Sequence, residues 1–138
     1  MSLRGTALLI AALALLSCQE SSTSGAPSPN VKGIVTGGIE PCGMVSRSEA
    51  HYEAGTVTVL KGQVTVRSTG PYTSENVFPT TVIAQENVAM NGTYRFVLDP
   101  GQYVLRARYS SGGDSWPFAE VTLRAGSNLK IDIPSRCK

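Results

Sequence analysis

Tyr94-Arg-Phe-Val-Leu-Asp-Pro-Gly-Gln-Tyr-Val-Leu-Arg-Ala-Arg-Tyr109 is the stretch that decides the fold. Tyr94, Phe96 and Leu98 alternate with Arg95 and Val97, and Tyr103, Leu105, Ala107 and Tyr109 alternate with Arg106 and Arg108. Side chains on a strand point to opposite faces in turn, so this period of two predicts two strands, each with one apolar face. Between them, Asp99-Pro100-Gly101-Gln102 predicts a type II turn, because proline pre-sets the second position and glycine accepts the positive φ of the third.

The same alternation runs outward in both directions. Downstream, Ala119, Val121 and Leu123 alternate with Glu120, Thr122 and Arg124, and Leu129, Ile131 and Ile133 alternate with Lys130 and Asp132. Ala125-Gly126-Ser127-Asn128 turns the chain between them. Upstream, Asn91-Gly92 predicts a turn, and a strand is expected near Thr80 to Gln85. Thr56 to Leu60 and Gln63 to Ser68 flank Lys61-Gly62, which predicts a tight hairpin. Val31 to Thr36 predicts a first strand ending at Gly37-Gly38. Only Ser46 to Ala54 offers material for a helical turn. About seven antiparallel strands with one apolar face per sheet predict an all-β two-sheet sandwich.

The first residues carry a different chemistry. Arg4 precedes an unbroken apolar run, Ala7 to Leu16, and then Ser17-Cys18. The run falls short of the roughly 18–20 residues that span a bilayer as a helix, and a small residue stands at the expected cleavage point, so residues 1–17 read as an export signal. Leu15-Leu16-Ser17-Cys18 resembles the lipobox of bacterial lipoproteins, although that pattern prefers a smaller residue where Leu16 stands. The resemblance implies cleavage before Cys18 and diacylglycerol on its thiol. Each buried CH₂ contributes about 0.8 kcal/mol, so a second acyl chain such as palmitate turns marginal membrane binding into stable anchoring. Gln19 after the cysteine resembles the sorting pattern of these lipoproteins, and that resemblance implies an outer-membrane or cell-surface destination in an organism that has an outer membrane. Residues 18–30, rich in Ser, Gly and Pro, read as a flexible tether, and residues 31–138 as one domain.

Composition excludes other classes. With Arg4 removed from the 12 basic residues, 11 stand against 10 acidic ones, which leaves no basic footprint for nucleic acid. Of the three cysteines, Cys18 is taken by lipid; Cys42 and Cys137 form an even pair in an exported chain, and a Cys42–Cys137 disulfide is expected. In the chain-entropy model, a loop that long stabilises by about 3–5 kcal/mol. One histidine and no Cys-x-x-Cys predict no metal site and no cofactor.

Val31-x-Gly33-x-Val35, Val57-x-Val59, Val64-x-Val66, Asn91-Gly92-Thr93-Tyr94-Arg95-Phe96, Leu98-Asp99-Pro100-Gly101-Gln102-Tyr103-Val104-Leu105-x-Ala107 and Val121-Thr122-Leu123-x-Ala125-Gly126 together resemble the carboxypeptidase regulatory-like domains. That resemblance covers roughly residues 31 to 133 and implies a transthyretin-like (prealbumin-like) sandwich. It supplies no catalytic residues. The polar insertion from 37 to 55 and the cysteine near the C-terminus depart from the pattern and are similar to small exported lipoproteins carrying this domain alone.

Candidate chemistry is sparse. Glu49, His51 and Glu53 are close in sequence, but an acid–base or metal role needs a third partner and a pocket; an exposed loop is the competing reading. No Gly-x-Ser-x-Gly elbow is present. Trp116, in a glycine-rich loop with Tyr109 close behind it, and Tyr72 in Gly70-Pro71-Tyr72-Thr73 are candidate binding aromatics for a glycan or an envelope protein. Packing over the end of the sandwich is the other reading of Trp116. The expectation is a non-enzymatic envelope lipoprotein, a binding or structural module held on a membrane by Cys18. The alternatives are a carrier of a small apolar ligand between sheets, lined by Tyr94, Phe96, Leu105 and Leu123, and a hydrolase using His51.

Overall fold

The computed structural model describes residues 30–42, 51–113 and 115–135. Cys18, Glu49 and Cys137, and most of the segment expected to hold a helical turn, lie outside them. Among the described residues the chain is all-β, with nine strands: β1 (Gly33–Gly37), β2 (Gly55–Lys61), β3 (Thr65–Gly70), β4 (Thr73–Val77), β5 (Val82–Val88), β6 (Tyr94–Leu98), β7 (Gly101–Tyr109), β8 (Phe118–Leu123) and β9 (Asn128–Lys130).

They form a three-stranded sheet in the order β6-β1-β9, a four-stranded sheet in the order β5-β2-β7-β8, and a separate ribbon, β3-β4. Every pairing is antiparallel except β1 with β9, which is parallel. The expected alternation is met: Val35, Tyr94, Phe96 and Leu98 from the smaller sheet and Val57, Val59, Leu105, Ala107, Val121 and Leu123 from the larger lie in one buried cluster. Two sheets with a shared core bury the apolar face that each carries.

Tyr94-to-Tyr109 makes two strands, as its alternation requires, but they do not pair with each other. β6 hydrogen-bonds to β1 and β7 to β2 and β8, so the connection steps from one sheet to the other. Gly101 accordingly sits at φ 158°, nearly extended and already part of β7, in place of the left-handed third position of a type II turn. The corner is held by Tyr103, whose hydroxyl donates to the Asp99 carbonyl at 2.7 Å. A tyrosine bonding back to the chain just upstream is a recurrent device where strands change sheets. The turn at Asn91-Gly92 matches expectation: Asn91 adopts φ 60°, and the Gly92 N–H donates to the Ala89 carbonyl at 2.8 Å. Gly126 at φ 69° turns β8 towards β9.

Two expectations are corrected. The strand count is nine rather than about seven, and the tight hairpin at Lys61-Gly62 does not form. β2 has both edges occupied, by β5 and β7, so β3 has no place beside it and pairs with β4 instead. Gly62 donates its N–H to the Gln102 carbonyl at 2.9 Å, and the chain leaves the sheet there. β4, Thr-Ser-Glu-Asn-Val, has no repeating apolar face to announce it, and every one of its residues is exposed. The strand expected near Thr80 to Gln85 is displaced to Val82–Val88.

Candidate functional site

The outer face of the four-stranded sheet is where the unusual side chains gather. On β7 the residues opposite to the core face are Gln102, Val104, Arg106 and Arg108. Val104 is fully buried, in a second cluster with Leu60 and Phe118, against which Val64 and Phe78 pack. Val64 and Phe78 flank the β3–β4 ribbon on either side, so the ribbon's base folds over this face. A side-chain acceptor strengthens the attachment: the Val64 N–H donates to Glu120 Oε1 at 2.8 Å.

Beyond this base the polar and aromatic groups interleave. The Arg106 guanidinium carbon stands 4.4 Å from the Phe78 ring centre and 4.3 Å from that of Trp116; Arg108 lies 5.4 Å from the same indole. Phe78 meets Phe118 edge-to-face at 4.9 Å. A planar, weakly hydrated guanidinium stacks well on aromatic faces. Here the enclosure goes far enough that Arg106 Nε is buried without a hydrogen-bond partner. Desolvation holds the Arg106 pKa below its ordinary value.

Trp116 is thus neither loose in its loop nor part of the central core. It lies against two arginines with 40% of its surface exposed. Tyr72 occupies the tip of the β3–β4 ribbon and is 98% exposed. Tyr109, expected beside Trp116, is corrected: it is buried on the opposite face of β7, and its hydroxyl donates to the Glu40 carbonyl at 2.9 Å. Alternation is the physical reason, since the odd-numbered positions of β7 face the core and Arg106 and Arg108 face outward. Sequence reasoning missed Arg106, Arg108 and Phe78. The signal for the arginines was present as two cations spaced i, i+2 on an apolar strand; Phe78 gained its role only through the ribbon's return.

At one end of the molecule a different group of phenols closes the structure. Tyr94 donates to the Ile131 carbonyl, while Asp132 Oδ1 accepts from the Gly38 N–H at 2.9 Å and from the Tyr52 hydroxyl at 3.0 Å. Burial, reinforced by the charge of Asp132, pushes the Tyr94 phenol well above its ordinary range. Tyr103 and Tyr109 are also raised, chiefly by burial. The Tyr52 ring packs so closely on Gly38 that a Cβ there would stand 2.2 Å from it. Backbone bonds from Glu53 to Ile39 and from Asn91 to Tyr52 tie the end of the insertion to the segment after β1 and to the turn between β5 and β6.

His51 belongs to this stem. Its Nε2 is 3.8 Å from Glu53 Oε1, both side chains being partly exposed. Among the described residues no group of three or more His, Cys, Asp or Glu is placed to hold a metal ion. Tyr94, Phe96, Leu105 and Leu123, the expected lining of a ligand space, pack with one another in the central cluster. The chain matches no family model, and no curated protein matches it.

Proposed function

We propose that this chain is an exported lipoprotein of the cell envelope, cut before Cys18 and anchored to a membrane by lipid on that cysteine. Its domain, a transthyretin-like sandwich of the carboxypeptidase regulatory-like kind, serves as a non-enzymatic binding or structural module. The observation that carries the binding role is the aromatic and cationic outer face, with Trp116 half-exposed over Arg106 and Tyr72 projecting at the ribbon tip. Exposed aromatics on a rigid sheet supply contact area with little loss of side-chain freedom.

The proposal includes a Cys42–Cys137 disulfide. Ile39 and Ile133 form a parallel bridge, and the Glu40 N–H donates to the Ile133 carbonyl at 3.0 Å. Ile39 and Glu40, shortly before Cys42, thus lie beside Ile133, four residues before Cys137, and this proximity supports the pairing.

The test is the intact mass of the full-length protein extracted from bacterial membranes in detergent, before and after reduction. A diacylated chain beginning at Cys18 that gains two hydrogens on reduction is expected. An unlipidated chain overturns the tether, and an unchanged mass overturns the disulfide. Crosslinking in intact cells then tests the module: reproducible capture of an envelope protein or glycan is expected, and repeated capture of nothing counts against it.

A further inference from the structure

We propose that Arg106, Arg108 and Trp116 form a binding site for a carboxylate-bearing glycan, with Arg106 gripping the carboxylate and Trp116 meeting the sugar ring. This rests on the binding-module reading and assigns its ligand class. Three observations lead to it. Phe78 and Trp116 lie against the Arg106 guanidinium at 4.4 and 4.3 Å and Nε is buried, which leaves the outer edge formed by the two terminal amino groups as the route of approach. That edge offers parallel donors whose geometry matches the two oxygens of a carboxylate.

Second, no carboxylate among the described residues is paired with Arg106 or Arg108: the ion pairs join Lys32 to Asp99, His51 to Glu53 and Arg67 to Glu75. Glu120, on the neighbouring strand, is already the acceptor for the Val64 N–H. The buried Arg106 Nε has no partner and is out of a ligand's reach, so the protein itself leaves this cation's charge unanswered; an anion on the terminal amino groups would answer it. Third, Arg108 repeats the cation two residues along the same face, about 7 Å away at the rise of a strand. It can meet a second oxygen of the same sugar or the acid of the next one. Thr56 and Thr58, the cross-strand neighbours of Arg108 and Arg106 on β2, add hydroxyls to the same face.

Trp116 is the sole tryptophan of the chain, so its fluorescence reports on this site alone. The full-length protein in detergent is titrated with oligogalacturonate, with a neutral oligosaccharide of equal length, with inorganic phosphate and with an acidic peptide. A saturable change with the uronate, at least tenfold weaker with each of the others, is expected. Silence with the uronate overturns the site; phosphate or peptide binding as tightly reduces it to a pair of cations without preference and overturns the glycan assignment.

Arg106→Lys keeps the charge but loses the planar fork, and is expected to weaken uronate binding by tenfold or more. Arg108→Gln, at an exposed position outside the tight stack, is expected to weaken it several-fold with the circular dichroism spectrum unchanged. Wild-type affinity in Arg108→Gln overturns the two-arginine site even where Arg106→Lys fails to fold. Membrane mass and binding are independent: an unlipidated chain that binds uronate removes the tether and keeps this site, and a lipidated chain that ignores it does the reverse.

Discussion

Val57-x-Val59 and Val64-x-Val66 are the same motif with opposite fates. Val57 and Val59 are completely buried at the centre of the four-stranded sheet, whereas Val66 is 69% exposed on the ribbon. β2 is hydrogen-bonded on both edges and covered on its inner face by the smaller sheet; β3 is bonded on one edge, and neither of its faces is covered by another sheet. The comparison teaches that alternation says which side chains share a face, while the fate of the face depends on what the rest of the chain lays over it. A lone two-stranded ribbon is marginal in water, so this one depends on its base, where Val64 and Phe78 join the outer cluster.

Disturbing the core must therefore cost far more than disturbing the ribbon. The largest effect is expected at Gly37, where a Cβ would fall 1.7 Å from the Ile131 carbonyl oxygen. Gly37→Ala must push β1 away from the segment that follows β9, and urea denaturation should show a loss above the roughly 1–3 kcal/mol usual for overpacking and larger than that of the next variant. Leu105→Ala, at a fully buried position between the sheets, is expected to destabilise by about 2–4 kcal/mol. A loss under about 1 kcal/mol would mean that the core is loosely packed.

Tyr94→Phe removes the donor to Ile131 while keeping the ring, and should destabilise by about 1–2 kcal/mol. The phenols also make the core sensitive to alkali. Tyr94, Tyr103 and Tyr109 all have folded-state pKa values above their unfolded values. Their contribution is complete below the unfolded value of about 10 and is lost as pH rises through the folded values. Equilibrium unfolding as a function of pH should show stability falling above about pH 10, less steeply in Tyr94→Phe; a flat profile to pH 12 would contradict the burial of these hydroxyls. The smallest effect is expected at the ribbon tip, where Tyr72→Ser should leave the midpoint within about 0.5 kcal/mol. Amide hydrogen exchange sharpens the contrast: β3 and β4 should exchange through local opening, and β2 and β7 only through global unfolding.

The hairpin misreading and the aromatic misreading share one origin. Lys61-Gly62 looks like a tight hairpin because short-range turn chemistry is all that neighbouring residues express; β2 instead takes partners more than 20 residues away. Trp116 and Tyr109 are close along the chain, yet they stand on opposite faces of the sheet. Trp116 was legible as a candidate because a lone tryptophan beside two glycines stands out in the sequence. Its partners were not, since Phe78 arrives from the far side of the ribbon and nothing local to Arg106 forecasts two rings on its guanidinium.

By itself the sequence determined the fold class and most of the inward-facing residues, because a period of two is imposed by the geometry of a single strand and needs no partner. It also placed the turns at Asn91-Gly92 and Ala125 to Asn128, where local backbone preference is sufficient. Tertiary structure alone decided which strands are neighbours, that β9 runs parallel to β1, and that a ribbon closes over the outer face to assemble Phe78, Arg106 and Trp116. Those outcomes depend on contacts between residues distant in the chain, and their free energy appears only when the sheets meet.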